Sequence, residues 1–119
     1  MRVIPNMKVI LPADSVAVSK LTWIIAQQYG PFYMRMCRSK TPIIHNDSQE
    51  FQVGKAITLR DGSDCTIAAC GITVKMALDA ASLLKQDGVS CRVIDCFSIK
   101  PIDDGLLEKA ARETGAIVT

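Results

Sequence analysis

The spacing of apolar positions changes character within residues 64–101, DCTIAACGITVKMALDAASLLKQDGVSCRVIDCFSIKP, and the rest of the chain is organised around that stretch. Residues 65–70 form a short, nearly uncharged run broken by Gly71, as expected of a strand buried on both faces of a parallel sheet. From residue 73 to 86 the spacing becomes helical. Val74, Ala77, Leu78, Ala81 and Leu84 recur every three or four positions, and Met76, Ala80 and Leu83 widen the apolar face. Gly88 ends that helix and residues 91–97 supply a second strand, so the stretch predicts one complete βαβ unit.

The same reading extends to both sides. Residues 7–11 (MKVIL) predict a strand closed by Pro12, and Asp14 is placed to cap a helix whose stripe is Val18, Leu21 and Ile25, with Ala17 and Ile24 beside it. Gly30-Pro31 stops the helix, and residues 32–37 (FYMRMC) predict the next strand, with Arg35 inside it and Arg38 at its C-terminal end. Residues 39–52 lose periodicity, and the wholly polar NDSQE at 46–50 marks a connector of the length that joins domains or carries function. Beyond it, residues 53–60 predict a strand, and Asp61-Gly62 predicts a tight turn into the strand at 65, giving a hairpin and hence a mixed second sheet. Asp103 or Asp104 caps a last helix faced by Leu106, Leu107, Ala110 and Ala111. Gly115 ends it before a short strand, AIVT. A lone parallel pair of strands has open edges and uncovered faces, so the expectation is a piece of a longer protein.

Composition narrows the function classes. About half of the 119 residues are apolar and few are aromatic, and the net charge of +2 is too small and too evenly spread to argue for nucleic acid or an anionic membrane. The five cysteines, at 37, 65, 70, 91 and 96, contain no C-x-x-C pair, and His45 is the single histidine, which argues against a zinc site. Buried free thiols in a reducing, cytoplasmic setting are the expectation. The opening MRVIPNMK lacks the apolar core of a secretory leader, and no apolar run reaches a membrane span.

Few residues invite chemistry. Gly71 stands alone in CGITVK, where a dinucleotide site needs G-x-G-x-x-G, so the turn is expected to make a corner rather than hold a cofactor. Cys65 and Cys91 open two strands expected to be adjacent, with Cys70 and Cys96 near their ends, and all four read as packed thiols. No carboxylate or nucleophile is seen to be positioned with His45, which reads as a solvated connector residue. Lys100-Pro101 reads as a strand stop ahead of the Asp103 cap.

Four segments in order, RVIPNMKVILPADS at 2–15, GPFYMRMCR at 30–38, FQVGKAITLRDGSD at 51–64 and VIDCFSIKPID at 93–103, resemble transketolase over nearly the whole chain. The resemblance implies an α/β architecture: an incomplete parallel βαβ segment of a pyrimidine-binding domain (1–40), a linker (41–52), and a truncated, mixed-sheet, three-layer C-terminal domain (53–119). It implies part of a cytoplasmic, oligomeric, dimer-forming enzyme of the pentose phosphate pathway. Such an enzyme uses thiamine diphosphate and magnesium to move a two-carbon ketol unit between sugar phosphates. The glutamate that contacts the aminopyrimidine ring and the G-D-G…N motif that holds magnesium and diphosphate have no counterpart in these residues. The isolated chain is therefore expected to be inactive, needing the missing domains or a complementary subunit. Deoxyxylulose-phosphate synthase, the β part of a 2-oxoacid dehydrogenase, and a non-catalytic assembly module are the alternatives.

The resemblance carries one functional position into this chain. Counted from Pro31, the family's sugar-phosphate-binding arginine falls on Arg38. A guanidinium at the mouth of a parallel strand can grip phosphate oxygens through paired charge-assisted bonds. Arg35, an odd number of positions away, is expected on the other side of the strand as a surface or interface group.

Overall fold

The computed structural model describes residues 1–119. Strand β1 (Lys8–Ile10) runs parallel to β2 (Phe32–Met34), with Lys8 opposite Phe32 and Ile10 opposite Met34. Between them lies α1 (Ser15–Ala26), started by the Asp14 side chain, which accepts from the Ala17 amide at 2.8 Å. Strand β2 is shorter than the apolar run 32–37. Its last bond to β1 is Arg35 N–H to Ile10 C=O, 2.9 Å. The next donor due from β1 is Pro12, which has no N–H, so the ladder stops and residues 36–37 leave it.

The second sheet contains β3 (Ile57–Arg60), β4 (Cys65–Ala69), β5 (Cys91–Asp95) and β7 (Ile117–Val118), in the order β3-β5-β4-β7. Helix α2 (Thr73–Leu84) continues into a 3₁₀ turn at Lys85–Asp87, and Gly88, at φ +81°, reverses the chain into β5. Strands β4 and β5 are parallel, with Cys65 opposite Cys91. The sheet is mixed, as expected, but not through a hairpin: β3 pairs antiparallel with β5, not with β4. Gly62 lies against the start of β5, where a Cβ would stand 2.3 Å from the Cys91 carbonyl carbon. The Asp61-Gly62 turn therefore crosses β5 and delivers β4 to its far side.

Residues 91–97 do not form one strand either. The ladder of β5 ends at Asp95, and Ser98–Lys100 is a separate strand, β6, that joins the first sheet antiparallel to β1, giving the order β2-β1-β6. The crossing is fixed by Leu11 N–H donating to Phe97 C=O at 2.8 Å and by Phe97 itself, which is fully buried.

Alternation along β5 then sorts three packed layers. Cys91 and Val93 face α2 with Val74, Ala77 and Ala81, while Ile94 faces Ala110 of α3 (Asp104–Thr114). On that second face, the Thr66 and Thr114 hydroxyls are 2.9 Å apart. The first sheet has its own core of Ile10, Ala17, Leu21, Phe51 and Phe97.

Candidate functional site

Arg38 lies beyond the end of β2, exposed, on a stretch with neither helix nor strand. It lines a cleft of about 600 Å³ together with Pro12, Asp14, Ser15, Lys40 and Ile43. The cleft therefore sits where β1 and β2 end and α1 begins, the position at which open α/β sheets receive ligands. None of the chain's ion pairs engages Arg38 or Lys40. Two free cations beside a helix start favour an anion. Arg35 is exposed and stands outside this lining.

The back of the cleft holds a feature that the sequence reading missed. His45 is not solvated: it is 3% exposed and sits between two buried carboxylates. Its Nδ1 is 3.2 Å from Asp14 Oδ2, and its Nε2 is 3.3 Å from Asp95 Oδ2. Asp14 also accepts from the backbone amides of Ile44 and His45, both at 2.7 Å, so one carboxylate caps α1 and anchors the connector. Asp95, by contrast, accepts no hydrogen bond at either oxygen. The edge of the imidazole is closed by Phe51, whose ring centroid is 5.1 Å away in a T-shaped contact.

Burial and charge act in opposition at these three groups. Burial works against ionisation of Asp14, but the Ala17, His45 and Ile44 amides outweigh it and hold the carboxyl below its usual range. Burial also works against a charged His45, but Asp95 and Asp14 outweigh it and raise the imidazole above its ordinary value. At Asp95 burial wins, and its carboxyl is pushed up despite the nearby histidine. The node can therefore hold a proton between the start of α1, which packs in the core of the first sheet, and the end of β5 in the second sheet.

Signals for the node exist in the sequence. Asp95 is the one acid inside an otherwise apolar run, VIDCF, and His45 follows two isoleucines in a polar connector. Neither implies the other, because the residues meet only through the tertiary fold.

The remaining candidates have structural roles. The Gly71 amide donates to Leu11 C=O at 3.2 Å, so the turn is a corner tied to the end of β1. Cys65 and Cys91 place their sulfurs 3.1 Å apart as free thiols, and burial first, then Cys65, pushes Cys91 up to about 11. Burial likewise pushes Cys96 up to about 11. No group of three or more His, Cys, Asp or Glu side chains is arranged to hold a metal ion, and no helix is long and apolar enough to cross a membrane.

Comparison with known proteins agrees with this architecture. Residues 54–119 match the transketolase C-terminal domain family. The whole chain is 42% identical over 120 residues to a subunit of the apulose-4-phosphate transketolase of Phocaeicola vulgatus, covering 38% of that protein. Human transketolase is 39% identical over 121 residues, which cover 99% of this chain and 19% of the human one. Among solved structures, a split-gene transketolase described as an inactive β4 tetramer superposes on the full chain with a TM-score of 0.98 at 43% identity, and this chain covers 40% of it. The chain thus spans well under half the length of the relatives it matches.

Proposed function

The chain belongs to the transketolase family, and from that premise we propose that it is the C-terminal part of a thiamine-diphosphate enzyme that transfers a two-carbon ketol unit between sugar phosphates. In this reading Arg38 binds the substrate phosphate. The observation that carries it is the cleft at the ends of β1 and β2, where Arg38 and Lys40 stand without acidic partners beside the start of α1. Arg38 would supply the forked pair of donors and Lys40 a point charge. The division of the chain into 1–40, 41–52 and 53–119 belongs to the same proposal. Residues 41–52 carry neither helix nor strand, and β6 reaches back across the division.

The residues present do not fit a diphosphate or metal site, since the Gly71 amide is already taken and no ligand cluster exists. Thiamine diphosphate supplies the carbon–carbon bond chemistry from elsewhere in the complete enzyme. What this chain contributes is orientation: holding the phosphate end of the sugar fixes the distance of its reacting carbon from the cofactor. Two of the relatives, one a transketolase subunit by name and the other a split-gene transketolase, support a complementary subunit as partner.

Two measurements test the reading. In the assembled enzyme, Arg38→Ala should raise KM for a phosphorylated aldose by about tenfold or more, the value of one or two charge-assisted hydrogen bonds, and leave the unphosphorylated aldose unaffected. Equal effects on both acceptors would remove the phosphate role. The isolated 119 residues should show no ketol transfer with thiamine diphosphate and magnesium added, and turnover by this chain alone would overturn its assignment as a part.

A further inference from the structure

We propose that His45 is a positioning residue for Arg38: by joining Asp14 at the start of α1 to Asp95 at the end of β5, it fixes the segment from which the arginine enters the cleft. The inference rests on the reading of Arg38 as the phosphate ligand.

The segment is held only at its ends. Its upstream tie is Arg35 N–H to Ile10 C=O, and its downstream tie is the pair of amides, Ile44 and His45, on Asp14. Between them, residues 36–43 make no hydrogen bond through backbone or side chain. A span of this kind takes its course from its anchors, and the imidazole extends the downstream anchor from the first sheet to the second. Asp95 supplies an independent sign that the contact is specific. It is a fully buried carboxylate with no hydrogen bond, and the imidazole is the polar group that approaches it.

The link is strongest when His45 carries both ring protons. The imidazolium then donates from Nδ1 to Asp14 and stands as an ion pair beside Asp95, its Nε2 3.3 Å from Asp95 Oδ2 but outside hydrogen-bond geometry. When His45 is neutral and Nδ1 keeps its proton toward Asp14, the ring no longer offsets the charge of an ionised Asp95 3.3 Å from Nε2. The other titratable groups nearby do not compete. Cys70, after β4, and Cys96, after β5, are both raised, by burial first and then by Asp95, and so stay neutral, and Phe51 packs edge-on. Loss of the second proton should loosen the β5 arm, and with it the placement of Arg38.

The test uses the assembled enzyme containing this chain, assayed with a phosphorylated aldose and the same aldose without phosphate. His45→Phe should raise KM for the phosphorylated acceptor by about fivefold, less than direct loss of a charged bond costs, with kcat and the unphosphorylated KM unchanged. His45→Gln, whose amide can donate toward Asp95, should recover most of the loss. The Arg38→Ala/His45→Phe pair should be no worse than Arg38→Ala alone, because the histidine acts through the arginine. The phosphorylated KM of the native enzyme should also rise with pH through the raised His45 value, and that inflection should vanish in His45→Gln. Should His45→Phe fail to assemble, the isosteric Asp95→Asn gives the same reading through a flattened pH profile. Equal effects on both acceptors, or additive effects in the double variant, would overturn the positioning role. If Arg38→Ala is selective and the His45 and Asp95 variants are not, only this inference fails. If Arg38→Ala is itself unselective, the phosphate reading fails and this inference with it.

Discussion

At the scale of single residues, the Asp14–His45–Asp95 node has the sharpest physical consequence. His45 is raised in the fold above its ordinary 6.5, so its stabilising contribution is fully present below that pH and is lost as pH rises through the folded value. Asp14 is lowered from 3.8, so its contribution is present above that pH and is lost as pH falls through the folded value. Asp95 is raised, so the cost of ionising it builds up as pH climbs from 3.8 through its folded value. The His45 and Asp95 signs make the protein more stable in the weakly acidic range than in the alkaline one, while the Asp14 contribution is the same in both and is lost only in stronger acid. The urea midpoint of the full-length protein should accordingly be higher near about pH 6 than near about pH 9. Asp95→Asn should shrink that difference, because it removes the ionisable group that the neutral imidazole cannot compensate. A midpoint unchanged between the two pH values would rule out this account of the node.

Secondary-structure elements show where local signals suffice. Pro12, Gly30-Pro31 and Gly88 end elements where a missing donor or a left-handed turn requires it, and the main stripes of α1 and α2 pack as periodicity assigned them. Met76 and Leu83, expected to widen the α2 face, are instead exposed, because that face meets the sheet only along the narrower Val74, Ala77 and Ala81 line. Strand partners obey a different logic. The Asp61-Gly62 turn is real, yet β3 pairs with β5, because the chain at Gly62 passes directly over the β5 backbone. Glycine is needed there for space rather than for a hairpin. Gly62→Ala would push a methyl group into main-chain atoms that cannot swing aside, and should cost at least about 1–3 kcal/mol. Chemical denaturation would show it, and a variant as stable as the native chain would mean that the crossing is looser than described.

At the scale of the whole molecule, the connector and β6 bind the two sheets into one unit. Strand β6 leaves the β5 run and completes the sheet begun by β1, and Phe97 sits at the crossing, in edge-to-face contact with Phe51 at 5.2 Å. Phe97→Ala should therefore cost about 3–5 kcal/mol, in the range of fully buried aromatic deletions. It should lower a single cooperative transition rather than one of two separate ones. Two resolved transitions, with only one displaced, would show that the sheets unfold independently. The same coupling connects the candidate site to the scaffold: Arg38 stands at the first sheet, and the histidine behind it reaches the second.

Whatever depends on neighbours within a few positions was legible in the sequence. That includes the βαβ units, their stops, the Asp14 cap, and the location of Arg38 past the end of a strand. The family resemblance carried in those ordered segments is of the same kind, since each segment is contiguous. The tertiary structure alone decided that β6 belongs to the first sheet, that β3 lies against β5, and that His45 is buried between acids 31 and 50 positions away along the chain (45 − 14 and 95 − 45). Periodicity describes a residue's face and not its partner. A polar connector can still bury its histidine when two distant carboxylates, fixed at a helix start and a strand end, leave a gap of the right width and charge.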